Sequence, residues 1–174
     1  MATLHPYVDW FNVMTYDFVD GGGPATGHHA ALSSAGPKSM EAFVAQHLAA
    51  GIPPQKIVVG VPLYGKMWRW VNRKSTTGID QPYDLFGGDI PYSDLQRDVL
   101  VDARYEHGWD AAAKAPYLWD RELGTFVSYD DRRSMAEKAR FVRAHHLGGV
   151  MYWQHRYDAG QSLLTTLYTT LHGK

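Results

Sequence analysis

The segment KIVVGVP at residues 56–62 decides the fold class. Its β-branched side chains form a nearly continuous apolar run, a pattern typical of a strand buried on both faces of a parallel sheet. Two other segments are rich in β-branched and aromatic residues, YVDWFNVMTY at 7–16 and VMYW at 150–153. We predict a buried strand from each of them. The sequence therefore indicates an α/β protein with three parallel strands.

Amphipathic helices are predicted between and after these strands. Apolar residues recur at helical spacing over about 40–50, 131–146 and 163–171. Ser39 is suited to be the N-cap of the first helix, and Asp130 or Asp131 precedes the second. Alternation of buried strands and helices is the pattern of right-handed parallel βαβ units. Three such strands cannot close a barrel, so we expect two open sheet edges unless another segment or chain covers them.

Residues 66–128 have a different pattern, with several turns and short strand-like runs. Ala115–Trp119 and Thr125–Ser128 flank a turn and predict a hairpin, and a short helix is predicted after Ser93. This stretch is much longer than an ordinary βα loop. We therefore predict an inserted small α+β subdomain at 66–128, between α/β segments at 1–65 and 129–174.

Composition excludes several classes of partner. The formal net charge of −1 disfavours nucleic acid and anionic membranes, and there is no apolar stretch long enough to span a bilayer. Cysteine is absent. The adjacent pairs His28–His29 and His145–His146 lack the i, i+4 spacing of helical metal ligands. We expect no metal site and no cofactor, and the start Met1–Thr3 shows no signal peptide.

Aromatic residues are abundant, with 6 Trp and 11 Tyr. Flat side chains with polar tips suit sugar binding, but a core built from large residues explains the same composition equally well. The ends of the predicted strands favour the first explanation, because functional groups of parallel α/β proteins lie at the C-terminal ends of strands. The side chains predicted there are Met14, Tyr16, Asp17, Tyr64, Trp153 and Gln154.

Several motifs in order resemble glycoside hydrolase family 18, which contains chitinases and chitinase-like lectins. The segment FNVMTYDF at 11–18 is similar to the sixth barrel strand of that family, with its M-x-Y-D motif. The segment VGVPLYG at 59–65 is similar to the seventh strand, and SYDD followed by LGGVMYW is similar to the approach to the eighth. Thr26, Gly27 and His28 match the T-G-H of the intervening loop. The resemblance implies a partial TIM (β/α)8 barrel, strands 6–8, carrying the small chitin-insertion domain of many family members.

The resemblance also implies roles for the strand-end residues. Family members hydrolyse β-1,4-linked N-acetylglucosamine polymers with retention, using the acetamido oxygen of the substrate as the nucleophile. By analogy Tyr16 binds the acetamido carbonyl and Asp17 positions that arrangement, while Met14 and Trp153 contact the sugar. Tyr64 and Gln154 are expected to bind substrate. Trp68 and Trp70 of the inserted segment are assigned to the substrate groove, and the alternative for both is the small core of the insertion. The alternative for Tyr16 and Asp17 is a buried hydrogen-bonded pair that caps a strand.

The chain departs from the family pattern in two places. Lys66 follows Gly65 where the family often has arginine, and lysine lacks the forked geometry of a guanidinium. No D-x-x-D-x-D-x-E run occurs, so the motif that ends in the catalytic acid is missing. Other acidic residues are predicted to be solvated turn or cap residues: Asp20, Asp84, Asp89, Asp94 and Glu122.

The sequence therefore predicts part of a secreted chitinase-like hydrolase that binds chitin or chitooligosaccharides. Two alternatives stay open. One is a non-catalytic chitin-binding, lectin-like protein, because chitinase-like lectins keep the barrel and lose the acid. The other is a partial barrel whose open edges pair with a second copy, in place of a missing N-terminal half.

Overall fold

The computed structural model describes residues 3–173, so Met1 and Ala2, on which the signal-peptide prediction rests, and Lys174 lie outside it. The chain alternates strands and helices and is of mixed α/β class. The main helices are α1 (Met40–Ala49), α2 (Tyr92–Asp94), α3 (Arg132–Ala144) and α4 (Ser162–Leu171). The strands are β1 (Phe11–Val13), β2 (Ile57–Pro62), β3 (Tyr64–Arg69), β4 (Leu85–Pro91), β5 (Glu106–Asp110), β6 (Ala115–Asp120), β7 (Thr125–Ser128) and β8 (Gly149–Trp153).

Three of these strands form a parallel sheet in the order β1-β2-β8. Val13 pairs with Val59 in this sheet, and Val59 pairs with Val150. The prediction of parallel pairing is confirmed, because both ladders run in one direction. Each outer strand has one partner among the described residues, so β1 and β8 are the edges of the sheet.

The main core lies between this sheet and the helices. Ile57, Val59 and Val61 project from β2 and are fully buried. They share one apolar cluster with Val44 of α1, Met135 of α3 and side chains of α4. The predicted helix starts are confirmed, because the Ser39 hydroxyl accepts a hydrogen bond from Ala42 N, and Asp131 forms a capping box with Ser134.

The prediction that the two outer strands are buried was wrong. Strand β1 covers only 11–13, and the preceding Tyr7 and Trp10 are exposed by 86% and 57%. Tyr152 and Trp153 of β8 are also exposed. Both strands are at sheet edges and have a neighbour on one side only, so their aromatic side chains are less covered than those of the central β2.

A second sheet is antiparallel, with the order β4-β3-β7-β6-β5. The predicted hairpin is confirmed as the pair β6–β7. Its own core consists of Trp68, Val71, Trp119 and Phe126. The predicted helix after Ser93 instead begins at Tyr92, and Ser93 does not cap it: the hydroxyl donates to Tyr157 O and accepts from Ala159 N.

A buried ion pair joins helix α3 to the end of the antiparallel sheet. Lys138 Nζ donates to a carboxylate oxygen of Asp130, and the other carboxylate oxygen accepts from Ser134 Oγ at 2.6 Å. The side chains of Lys138 and Asp130 are 0% and 1% exposed. Burial lowers the pKa of Lys138, and the adjacent Asp130 carboxylate opposes that change. Each charge is therefore retained in the core by the other.

Candidate active site

The residues that follow β1 have alternating orientations. Thr15 is buried, and its hydroxyl donates to Gly60 O of β2 at 2.6 Å. Met14 on one side of it is 63% exposed, and Tyr16 on the other is half-buried. The ring of Tyr16 packs directly over Gly60, where a Cβ atom would lie 2.7 Å from Tyr16 Cε1. Glycine at this position is therefore required for the Tyr16 ring to lie against the sheet.

Asp17 is the acceptor of a cluster of polar groups. Its Oδ1 accepts from Tyr64 OH at 2.7 Å and lies 3.1 Å from Lys66 Nζ. The Nδ1 atom of buried His29 lies 3.6 Å from the same oxygen, which is an electrostatic contact beyond hydrogen-bonding distance. Asp17 also has a left-handed backbone conformation, with φ of 60°. Non-glycine residues are uncommon in that region and are enriched at functional sites.

These contacts determine the charge of the cluster. Partial burial acts to raise the pKa of Asp17, but His29, Tyr64 and Lys66 outweigh it and hold that pKa well below its ordinary value. Burial and the Asp17 contact raise the pKa of Tyr64, and burial lowers the pKa of His29. Asp17 is thus a permanent anion at neutral pH, and Tyr64 is a neutral hydrogen-bond donor.

Lys66 connects this cluster to strand β4. Its Nζ donates to Asp89 Oδ1 at 2.8 Å, and its side chain is 6% exposed. Burial acts to lower the pKa of Lys66, but the contacts with Asp89 and Asp17 outweigh it and raise that pKa. Asp89 is 54% exposed, which agrees with the prediction of a solvated residue, but the turn assignment was wrong because Asp89 lies in β4 and pairs with Lys66. The sequence separation of 23 residues gave no signal of this contact.

A cavity of about 260 Å³ lies at the C-terminal ends of the parallel strands. Its walls are formed by Met14, Tyr16, Asp17, Tyr64, Asp89, Trp153 and Tyr157. Trp153 is 56% exposed, and its carbonyl oxygen accepts from Leu63 N at 2.7 Å, which fixes the end of β8 beside the start of β3. The rings of Tyr16 and Tyr157 each contact the Tyr64 ring edge-on at 6.3 Å. The site thus combines an open indole face with hydroxyl and carboxylate groups.

Five residues predicted at the strand ends therefore meet around one cavity, but three other predicted residues, Gln154, Trp68 and Trp70, do not line it. Gln154 follows Trp153 across a cis peptide bond and does not line the cavity. The assignment of Trp68 to the groove was wrong. Its indole is 0% exposed and packs against Tyr83, Phe86 and Phe126 inside the antiparallel sheet, where no substrate can reach it.

Replacement of Lys66 by methionine is expected to raise the pKa of Asp17, because an adjacent opposite charge is removed. The stabilising effect of the Asp17 carboxylate is present above the ordinary aspartate pKa of about 3.9 and is lost as pH falls through its lowered folded pKa. In Lys66→Met this loss begins at higher pH. NMR titration of the Asp17 carboxyl carbon measures it, with the exposed Lys74→Met as the control. An unchanged Asp17 pKa in Lys66→Met would contradict the assigned contact.

Comparison with known proteins places this geometry in a family. The sequence matches the family described as glycosyl hydrolases family 18 over residues 1–158. This chain belongs to family 18. Chitinase A1 of Niallia circulans is 31% identical over 188 residues, covering 98% of this chain and 27% of that protein.

Solved family 18 structures have the same fold. An N-acetylglucosaminidase from Paenibacillus barengoltzii superimposes with a TM-score of 0.90 and 37% identity, covering 98% of this chain and 51% of that one. A Cycas revoluta chitinase in complex with (GlcNAc)3 gives a TM-score of 0.86 and 29% identity, covering 96% of this chain and 48% of that one. This chain thus spans about half the length of these two family 18 structures. It spans 27% of the length of the Niallia circulans chitinase.

Residues 3–173 contain neither a membrane-spanning helix nor a cluster of metal-ligating side chains. None of the helices in this range is both long and apolar enough to cross a bilayer. Within the same range, no three histidine or acidic side chains converge in a way that could hold a metal ion.

Proposed function

We propose that this family 18 chain forms the substrate-positioning part of a chitin-hydrolysing glycosidase. In this proposal the three parallel strands are strands 6–8 of a partial (β/α)8 barrel, and the antiparallel sheet is its chitin-insertion subdomain. The observation that carries the proposal is the cavity in which Tyr16, Asp17 and the exposed Trp153 converge. A flat apolar surface next to oriented polar groups is the general form of a sugar subsite.

The arrangement fits a substrate-assisted retaining mechanism. The acetamido carbonyl oxygen of the bound ring attacks its own anomeric carbon, and the glycosidic C–O bond breaks as an acid protonates the leaving oxygen. Water then opens the cyclic intermediate, so the anomeric configuration is retained. The Tyr16 hydroxyl, which has no hydrogen-bond partner among residues 3–173, donates to the acetamido oxygen and holds it in the attacking orientation.

Asp17 acts in this mechanism as a fixed negative charge. Positive charge develops on the acetamido group as it attacks, and a carboxylate that is already ionised and held by Tyr64 and Lys66 stabilises it. Because its pKa is held low, Asp17 is not suited to donate a proton at neutral pH. Asp89 is the other carboxylate that lines the cavity, and it is paired with Lys66.

The proton donor must therefore come from outside these side chains. The family motif that carries the acid is absent from the sequence, and no other carboxyl group lines the cavity in residues 3–173. In the proposed enzyme, the remaining (β/α) units supply the acid. The open edges at β1 and β8 are the positions where those units would pair.

Binding of chitotriose to the purified chain tests the proposal. We expect Trp153→Ala to weaken the affinity by at least about tenfold, because it removes the exposed indole face of the cavity. Trp10→Ala is the matched control, since Trp10 is equally exposed, at 57% against 56%, but precedes β1 at the other end of the strand. Isothermal titration calorimetry on both variants gives the comparison. Equal affinities for the two variants would reject the cavity as the sugar site.

Two other outcomes separate the alternatives. A chain that binds chitotriose, with an upstream sequence that lacks the acidic motif, is a lectin-like protein. A mass that rises with concentration in analytical ultracentrifugation supports pairing of the open edges between two copies. We favour part of an enzyme over a lectin-like protein, because Asp17 is held ionised by contacts with Tyr64 and Lys66 that sugar binding alone does not require.

A further inference from the structure

The antiparallel sheet exposes a tryptophan at the end of β3. Trp68 within the strand is fully buried, but Trp70 just after it is 62% exposed. Trp70 has a left-handed backbone with φ of 56°. That conformation is unfavourable for a bulky non-glycine residue, and backbone outliers of this kind are enriched at functional sites.

The backbone conformation of Trp70 is fixed by the adjacent segment around Gly124. Val71 is buried, and its N–H donates to Gly124 O at 2.9 Å. The two segments approach so closely that a Cβ atom on Gly124 would lie 2.5 Å from Val71 O. Gly124 itself has a positive φ of 65°. The backbone on the C-terminal side of Trp70 is thus anchored, so the strained backbone turns the indole out of the sheet.

Trp70 lies at the edge of a second concave surface of about 560 Å³. We call it the Trp70 cleft, and it is lined by Trp70, Val71, Asn72, Arg73, Asp84, Glu122 and Leu123. Arg73 donates to Glu122 O at 3.2 Å. The carboxylates of Asp84 and Glu122 make no hydrogen bond or ion pair with any other residue in 3–173. Two acceptor groups and a flat aromatic surface therefore face the same space.

We propose that the Trp70 cleft binds a pyranose ring of a neutral polysaccharide, separately from the cavity at Asp17. The indole provides a stacking surface for the apolar face of a sugar ring, and the Asp84 and Glu122 carboxylates accept hydrogen bonds from its hydroxyls. One guanidinium against two carboxylates leaves the cleft with a negative charge, which disfavours nucleic acid and other anionic ligands. The volume is within the range of small-ligand sites.

The position of the cleft indicates which ligand reaches it. Trp70 lies six positions after Tyr64 of the active-site cavity, just beyond the end of β3, and this corresponds to about 20 Å along a strand. A ligand of two or three rings in the cavity is too short to contact the indole, whereas a polymer is long enough. The choice of chitin as that polymer rests on the proposed function. The inference that the Trp70 cleft binds a neutral polysaccharide does not.

The test compares a long ligand with a short one. Trp70→Gly removes the indole and accepts the left-handed backbone without strain, so the variant is expected to fold with an unchanged or higher Tm. We expect its binding to insoluble chitin to weaken roughly tenfold in a depletion assay, while its affinity for chitotriose stays unchanged. Trp70→Phe keeps a stacking surface and should retain most of the binding to chitin. Trp10→Ala, with a comparable exposed indole, should bind both ligands normally.

The outcomes distinguish the cleft from the proposed function. Chitin binding that is unchanged in Trp70→Gly but lost in Trp153→Ala rejects the Trp70 cleft and leaves the active-site proposal intact. Normal chitin binding by both variants rejects both proposals. Equal weakening of chitin and chitotriose binding in Trp70→Gly would show that the two surfaces are not separate, which also overturns the inference.

Discussion

Replacement of Lys138 by methionine is expected to lower the free energy of unfolding by about 3–5 kcal/mol, the usual effect of removing one partner of a buried ion pair. The lysine side chain is 0% exposed, and its ammonium group contacts the carboxylate of Asp130, which is 1% exposed. Methionine fills much of the same volume, so the loss comes from charge rather than from a cavity. Asp130 keeps its hydrogen bond from Ser134 but has no positive partner.

Urea denaturation at neutral pH measures this loss. The matched control is Arg140→Met on the same helix, because the Arg140 guanidinium pairs with Glu137 at 2.8 Å but is 60% exposed. Exposed pairs of this kind contribute about 0–1 kcal/mol. The double variant Lys138→Met with Asp130→Asn removes both charges and should recover part of the lost stability. Similar effects of Lys138→Met and Arg140→Met would show that burial does not strengthen this pair.

Replacement of Tyr16 by phenylalanine is expected to lower kcat about 10²–10³-fold in a complete barrel, with little change in KM. In the proposed mechanism the Tyr16 hydroxyl interacts most strongly with the acetamido oxygen as that oxygen attacks, so its removal destabilises the transition state more than the bound substrate. Loss of a comparable oriented donor in other enzymes has an effect of this size. The isolated chain is expected to show no turnover, because its sequence lacks the acidic motif.

A chimaera supplies the complete barrel. This chain replaces the matching region of the Niallia circulans chitinase, to which it is 31% identical, and release of a fluorophore from a chitobiose glycoside measures kcat and KM. Tyr152→Phe is the control, because Tyr152 lies on edge strand β8 and does not line the cavity. Normal turnover by Tyr16→Phe, in a chimaera that is active with tyrosine, would remove Tyr16 from the mechanism.

Local features of the fold were predictable from sequence, since their causes are local. Ser39 and Asp131 each cap a helix whose apolar spacing is visible in a few residues. The hairpin of β6 and β7 follows from two short runs around one turn. The strand-end residues Tyr16 and Asp17 could be located for a similar reason, because they lie only three and four residues after the end of β1.

Other features depend on contacts between distant segments and were not predictable. Nothing adjacent to Trp68 in the sequence shows that it packs against Phe86 and Phe126 rather than against solvent. Asp89 looks like a turn residue in isolation, and its role depends on a lysine on the neighbouring strand. The exposure of Trp153 likewise depends on how many strands flank β8, which the periodicity of β8 does not specify.

The two sheets differ in how much chain must be ordered to form them. Val58 and Gly149, paired between β2 and β8, are 91 residues apart, whereas Trp119 and Phe126 in the β6–β7 hairpin are 7 apart. Closing the longer loop directly from a flexible chain costs about 2 kcal/mol more in entropy. The antiparallel sheet lies within that loop, and its prior formation shortens the flexible chain left to close. Folding of the parallel sheet that carries the candidate site therefore has high contact order, and it depends on the antiparallel sheet inserted between its strands.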